Sequence, residues 1–496
     1  MKQEKEEIRG FFSNYAAQFI AFIANTVLGI IVFKKITTIL GPELYGHYAI
    51  FGILMNLCST FFIAWLTNSY MRFGREEFST TGMTNTSFSN QVFLSTMMCG
   101  TIIIVIYIFR NQLSNYIGLK IEAIYMLMCF LVLFIATQAL VTSFKIVGSF
   151  KKLALITPIQ SGIFLAFIIC LIENGSHAEV IILISLITQG LALLIISIAA
   201  PWSKVLPMRI EFKKMPDMLK FASASLLWII SYTIIDSIDA LMIKEYLKIS
   251  QVGIYNASYR IMSYVWMLPQ LTITLTLNLI VGFTSLGRDD LVRIYAERHA
   301  RQGIFIVALI TVIVIVSSKE IFSLFLNNEY SSGILPFAIL MLSVSLRSVN
   351  AFLSPIINAY LLLRQASVVI VIMAVFNIVG DLITLKMGMG LIGPAIITSI
   401  VFFIDCVGTT WITFKRVGIN NMNHILFALY PIFAIPVVMI TSLSLRIGYV
   451  IVLVSIMFLI AKRLHVFSLR DMTLISSIQL PNYVRKGLYR FCQVME

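Results

Sequence analysis

Tyr45-Gly46-His47-Tyr48-Ala49 and, 207 residues further on, Val252-Gly253-Ile254-Tyr255-Asn256 occupy similar places in this chain of 496 residues, at a turn between one long apolar run and the next. A Gly-x-Tyr pair alone is a weak signal, because such residues are common where helices meet a membrane interface. Its weight comes from the surroundings. Moved by the same offset, the first six apolar runs, at 12–199, land on 219–406, close to the second six at 221–413. The runs approach the roughly 20 residues that an α-helix needs to cross the hydrocarbon core of a bilayer. The sequence therefore predicts an all-α polytopic membrane protein of about fourteen transmembrane helices, two six-helix lobes plus two extra C-terminal helices. Both halves begin on the same side, so the pseudo-repeat is parallel. The predicted division is an N-terminal lobe at 1–200, a cytoplasmic linker at 201–220, a C-terminal lobe at 221–414, extra spans at 415–461 and a basic tail at 462–496.

Composition agrees and excludes several classes. Residues of the hydrophobic set make up 59% of the chain and charged ones 12%, against about 25% charged in a soluble domain. The 37 Lys and Arg outnumber the 23 Asp and Glu, giving +14. That excess falls in loops, so it argues orientation rather than nucleic-acid binding. With the N-terminus inside, 26 cations fall to inner segments and 9 to outer ones, which predicts both termini in the cytoplasm. The first apolar run, of about 20 residues, is too long for a cleavable signal and reads as the first span. The tail interleaves cations with apolar residues and suits either an anionic membrane surface or solvent. The six cysteines show no Cys-x-x-Cys spacing, and those within apolar runs read as small hydrophobes between helices.

Ionisable groups deep in a bilayer cost at least a few kcal/mol, so each needs a partner or a function. Arg260, Arg347, Asp236, Asp239, Asp381 and Asp405 qualify, and all lie in the second half. Arg347 falls near the bilayer midplane, where its fork suits a phosphate or carboxylate; it equally suits an ion pair, better with Asp405 than with Asp381. Asp236 and Asp239 share a helix face three residues apart, near the predicted depth of Arg260. An Asp239–Arg260 bridge and a substrate or cation site both fit that placement. In span one, Asn14, Gln18 and Asn25 read as interhelical glue or as cavity lining. Pro269 and Pro355 are expected to kink or break their helices. No phosphate-cradling Gly-x-x-x-x-Gly-Lys motif and no His-Glu-x-x-His motif occurs, so neither nucleotide hydrolysis nor metal chemistry has a visible constellation.

Ile39-Leu40-Gly41-Pro42-Glu43-Leu44-Tyr45-Gly46-His47-Tyr48 resembles the turn after the first helix of Wzx-type O-antigen and capsule flippases, members of the multidrug/oligosaccharidyl-lipid/polysaccharide (MOP) superfamily. Asp239, Val252-Gly253-Ile254-Tyr255 and Tyr259-Arg260 are similar to the family's segment from the seventh to the eighth helix. The frequent Arg after that Asp is Ala240 here. Arg347-Ser348-Val349-Asn350 also resembles some members.

The resemblance implies a MATE-like fold that moves undecaprenyl-diphosphate-linked oligosaccharide across the cytoplasmic membrane by alternating access. It implies a transporter, not an enzyme. Arg347 and Arg260 would be cavity cations, Lys145 and Arg72 candidate entrance contacts, and Asp236, Asp239, Asp381 and Asp405 coupling or structural carboxylates. Lys145 and Arg72 also fit a plain role in orienting the chain. The expected partners are lipid-linked oligosaccharide, membrane lipids and polysaccharide polymerase machinery, with no nucleic acid. No cofactor or metal is expected, and a proton or sodium is the expected coupling ion. The alternatives are a cation-coupled multidrug exporter, a lipid II flippase and, from another class, a membrane glycosyltransferase or polymerase. The exporter is disfavoured because the first lobe has no acidic residue deep in a span. The enzyme would want a larger outer loop than Ser318 to Gly333.

Overall fold

The structure, a computed structural model, describes the backbone of residues 2–172, 177–419, 423–467 and 493. Side chains are described for these except at 2–17, 224–225, 274–275, 278 and 443. The predicted tail lies almost wholly outside the described residues, as does the side chain of Asn14. All regular structure among the described residues is helical, one of the two ways a chain can satisfy its backbone N–H and C=O groups where no water is available.

In chain order the helices are α1 (Lys2–Ser59), α2 (Trp65–Thr81), α3 (Asn85–Ile108), α4 (Arg110–Ile117), α5 (Ile121–Val147), α6 (Phe150–Leu171), α7 (Ala178–Ala199), α8 (Trp202–Val205) and α9 (Met215–Tyr246). They continue as α10 (Ile249–Ser285), α11 (Asp289–Ile294), α12 (Ala300–Val316), α13 (Ser318–Phe325), α14 (Ile334–Ala359), α15 (Leu363–Lys386), α16 (Ile392–Val417), α17 (Asn423–Leu429) and α18 (Leu443–Arg463). Eleven helical stretches among the described residues are long and apolar enough to cross a bilayer. The first of these, Gln18–Thr81, holds most of the first predicted span, 12–33, and all of the second, 46–68. They are parted at Gly41, whose φ of 63° and ψ of 177° leave the helix just before Pro42. Only glycine adopts that conformation without strain. Each of the fourteen predicted runs lies on a helix. The eighth is α10, and the thirteenth is the shorter helical stretch Asn423–Met439. The expectation for Pro269 and Pro355 is partly overturned: both lie inside unbroken helices, α10 and α14.

The chain forms two compact units, 1–256 and 257–496. The division falls within α10, so α9 is described with the first unit. There, α1 packs on α6, α2 on α5 and α9, and α5 on α7. The buried Tyr70 on α2 reaches Ser143 on α5 through its hydroxyl at 2.8 Å. Asn25 of α1 accepts a hydrogen bond from the Ser161 hydroxyl of α6, the glue role, while Gln18 is exposed. The linker is strapped to the start of α3. Asn90 exchanges two hydrogen bonds with the Glu211 backbone, at 3.0 and 2.9 Å, and the Thr84 N–H donates to the Lys204 carbonyl at 2.8 Å.

The two glycines of the opening motifs face one another inside this unit. A Cβ on Gly253 would sit 1.9 Å from the Pro42 carbonyl oxygen, and one on Gly46 would sit 2.3 Å from the Ile249 carbonyl oxygen. Tyr45 donates its hydroxyl proton to Asn256 Oδ1 at 3.3 Å beside the contact. Small residues that let helix backbones touch are a main source of helix association in lipid, where apolar side chains gain little by leaving the bilayer.

In the second unit α14 is the buried axis, packed on α12 and α16, and α15 packs on α16. Every residue of α14 from Pro336 to Ile357 is buried except Arg347, which is half-buried. At the α15–α16 contact, a Cβ on Gly380 would meet Ile397 at 2.7 Å and one on Gly408 would meet Val369 at 2.8 Å. A bidentate ion pair ties α18 to α13, with Arg446 Nη2 on Glu320 Oε1 at 2.7 Å and Nη1 on Oε2 at 3.1 Å. The expectation for the cysteines is corrected in part. Cys99 and Cys406 are buried and Cys58 is half-buried, but Cys129 and Cys170 are exposed on outer helix faces.

Gly253→Ala is expected to destabilise the protein by about 1–3 kcal/mol, the usual cost of overpacking. Gly52→Ala on α1, whose Cβ would meet nothing within 4 Å, is expected to be close to neutral. Thermal unfolding of the two purified variants checks the pair. The hydrogen bond from Arg446 holds the Glu320 carboxyl below its ordinary value. Its contribution is therefore present above the usual carboxylate range and lost as the pH falls through the depressed value. Glu320→Gln should lower stability by no more than about 1 kcal/mol near neutral pH, because the carboxylate is half-exposed. The difference from wild type should vanish in acid.

Candidate functional site

Arg347 reaches its place because α14 is buried almost throughout its unit, with small Ser residues among its apolar ones. Its guanidinium carbon lies 4.5 Å from the ring centroid of Trp266 on α10 and 4.8 Å from that of Phe402 on α16. Both rings thus lie within cation–π reach of the guanidinium. One turn along α14, Asn350 donates to Asp405 Oδ1 at 3.0 Å and approaches the Thr409 hydroxyl at 3.2 Å. Thr409 donates to the same Asp405 oxygen at 3.1 Å. Asp405 is buried, and its second oxygen accepts no hydrogen bond among the described residues. Arg347 is a charge whose field acts on that carboxylate. The buried Trp266 indole N–H likewise has no acceptor among the described residues. A cation, an uncommitted donor and an uncommitted carboxylate oxygen thus share one apolar interior. Unpaired buried polar groups cost about 1–3 kcal/mol each, so such a cluster is poised to take up a proton, an ion or an anionic ligand.

The other predicted residues are placed differently. Asp381 is buried on α15, one turn from Asn377, whose amide approaches its Oδ2 at 3.5 Å. Asp239 is buried in the first unit and accepts the Tyr255 hydroxyl proton, with Asp236 half-buried on the same helix. Arg260 is exposed, its guanidinium 5.5 Å from the Tyr264 ring centroid. Lys145 is exposed at the end of α5. Arg72 is exposed and stacks on Phe221 at 4.4 Å and on Phe73 at 5.6 Å. Among the described residues, no three acidic, His or Cys side chains gather to hold a metal.

Sequence reasoning missed Trp266, Phe402 and Thr409. It also missed a second feature. The first unit holds a cavity of about 370 Å³ lined mostly by apolar residues of α1, α5, α6 and α7, together with Gln138, Gln160, Gln189 and Thr137. Gln160 donates to Gln189 at 2.8 Å, Gln189 donates to Thr137 at 3.1 Å, and Thr137 donates to the Leu133 carbonyl at 2.8 Å. The available signal was the presence of amides in runs otherwise apolar.

Comparison with known structures fits this architecture. The fold is similar to that of a lipid II flippase, MurJ, in an inward closed conformation, with a TM-score of 0.68 at 16% identity over 91% of this chain and 99% of that one. It is similar to an inward-facing MATE multidrug transporter of the MOP superfamily, with a TM-score of 0.62 at 14% identity over 79% and 94% of the two chains. A MOP transporter from Pyrococcus furiosus, described as having a binding pocket of reversed polarity, gives 0.60 at 13% identity over 82% and 95%. No curated protein matches. Residues 36–335, more than half of the chain, match the family described as polysaccharide biosynthesis protein, and the chain belongs to that family, as a multi-pass membrane protein whose fold is similar to those of MurJ and MATE proteins.

Proposed function

We propose that the protein is a flippase that carries undecaprenyl-diphosphate-linked oligosaccharide units across the bacterial cytoplasmic membrane by alternating access, with both termini in the cytoplasm. It supplies units for polysaccharide synthesis and hands them to polymerase machinery. The observation that carries this reading is Arg347, a cation within cation–π reach of Trp266 and Phe402 on a helix buried almost throughout its length. A diphosphate is an anion that a guanidinium recognises through paired, charge-assisted hydrogen bonds, and the Trp266 N–H adds a donor. The family description and the likeness to a lipid II flippase support the class of cargo.

The bare oxygen of Asp405 favours ion coupling on the same carboxylate, by a proton or by sodium. In one form Asp405 faces Arg347 as a carboxylate. In the other, the bound ion neutralises it and leaves Arg347 to the diphosphate. Asp381, buried on α15, is the second candidate for this role in the unit.

In a strain lacking the gene, Arg347→Ala is expected to lower surface polysaccharide at least about tenfold at normal protein level, as the loss of charge-assisted bonds predicts. Arg347→Lys should retain part of the activity, because an ammonium keeps the charge and loses the fork. Wild-type polymer from Arg347→Ala would sink the assignment. Asp405→Asn should remove the dependence of transport into vesicles on an imposed ion gradient. Unchanged dependence would place coupling elsewhere.

A further inference from the structure

The cavity of the first unit has a chemistry of its own. No charged side chain lines it, so it selects neither a diphosphate nor a drug cation by charge. Its polar groups are carboxamides and hydroxyls, and the donations from Gln160 through Gln189 and Thr137 to the Leu133 carbonyl fix their orientation. That chain leaves unused the Gln160 carbonyl oxygen and the second amide hydrogens of Gln160 and Gln189. Gln138, the next residue on α5, makes no side-chain hydrogen bond among the described residues although it lines the cavity within a membrane-spanning helix. A carboxamide offers two donors and two acceptor lone pairs, and the half-buried Gln138 keeps these at the cavity wall. The rings of Phe130 and Phe134 line the same cavity, two turns and one turn before Gln138 on one face of α5. Orientated amides beside aromatic rings match a molecule with hydroxyls at its rim and a C–H face, which is an uncharged sugar ring. A lipid chain would fill the volume but leave Gln138 unpaired. At about 370 Å³ the space lies within the range of ligand pockets.

We infer that this cavity is a sugar subsite, in which Gln138, Gln160 and Gln189 hydrogen-bond an uncharged sugar of the oligosaccharide cargo while Phe130 and Phe134 take its apolar face. The inference rests on the proposed flippase reading and adds the part of the cargo that the first unit recognises.

Thr157 lines the cavity and is exposed, so a cysteine there reports occupancy. The full chain carrying Thr157→Cys, purified in nanodiscs, is labelled with a maleimide, with wild type as the blank for native cysteines. The probes are the oligosaccharide freed by mild acid from the host's lipid-linked unit, and undecaprenyl diphosphate alone. The free oligosaccharide is expected to slow labelling, and undecaprenyl diphosphate is not. Adding Gln138→Leu should raise the protecting concentration about tenfold, the loss of one well-made hydrogen bond, while Gln138→Asn should recover part of it. Protection by undecaprenyl diphosphate would assign the cavity to the lipid chain and overturn the inference, and so would no protection by either probe. The flippase reading is judged separately. If Thr157→Cys restores polymer in the deletion strain but is not protected, the sugar subsite fails and the flippase stands. If wild type restores no polymer, the flippase reading fails whatever the labelling shows.

Discussion

The Pro42 carbonyl oxygen occupies the space into which any side chain at position 253 would have to grow. This backbone contact, with its companion at Gly46 and Ile249, packs the start of α10 on α1 within the first unit. A bilayer gives apolar side chains little reason to associate, so close backbone approach must supply contact energy that burial from water supplies in soluble proteins. Gly41 contributes by turning the chain at φ 63° so that Pro42 presents its carbonyl there. The same device recurs where α15 meets α16, at Gly380 and Gly408. These positions leave the wide helix faces to lipid. Exposed Ile, Leu, Val and Phe along the spans are then ordinary surface for the solvent the protein occupies.

Polar chemistry is divided between the units. The second holds Arg347, Asp405, Asn350 and the Trp266 N–H in one apolar interior, where ionic interactions are strong and unmet bonds expensive. The first holds a cavity whose polar lining is neutral. An arginine in such a place needs its faces covered and its edges satisfied. Trp266 and Phe402 supply cation–π contact, and the planar guanidinium keeps its in-plane donors for polar partners.

Much of the fold was legible because its determinants are local. Run length marks the spans, and the offset between Gly46 and Gly253 marked the repeat, although the sequence could not say that these two glycines pack together. The packing of α9 within the first unit was not legible, since Asp236 and Asp239 mark one polar face of that span without saying which helices it meets. Arg347 stood out as a charge in an apolar run, and the pairing of Asp405 with Asn350 lay hidden only in distance along the chain. Trp266 and Phe402 gave no signal, because 12% of the residues are aromatic and most spans hold several. The glutamines were passed over for a different reason. A search ordered by charge ranks an amide low, and Gln160 and Gln189 become one hydrogen-bonded unit only when α6 lies against α7.

A carboxamide does not titrate, and that bears on how the two units divide the work under the proposed function. A carboxylate such as Asp405 changes its hydrogen-bonding character with each ion it gains or loses, so a site built around it has different affinities on the two sides of an energised membrane. An amide keeps the same donors and acceptors on both sides. Recognition of an uncharged sugar must not vary with the ion gradient, or cargo would be selected differently on loading and release. Coupling must vary with it, or no gradient would drive transport. Under the proposed function, the neutral lining of the first unit would meet the first requirement and the ionisable cluster of the second the other.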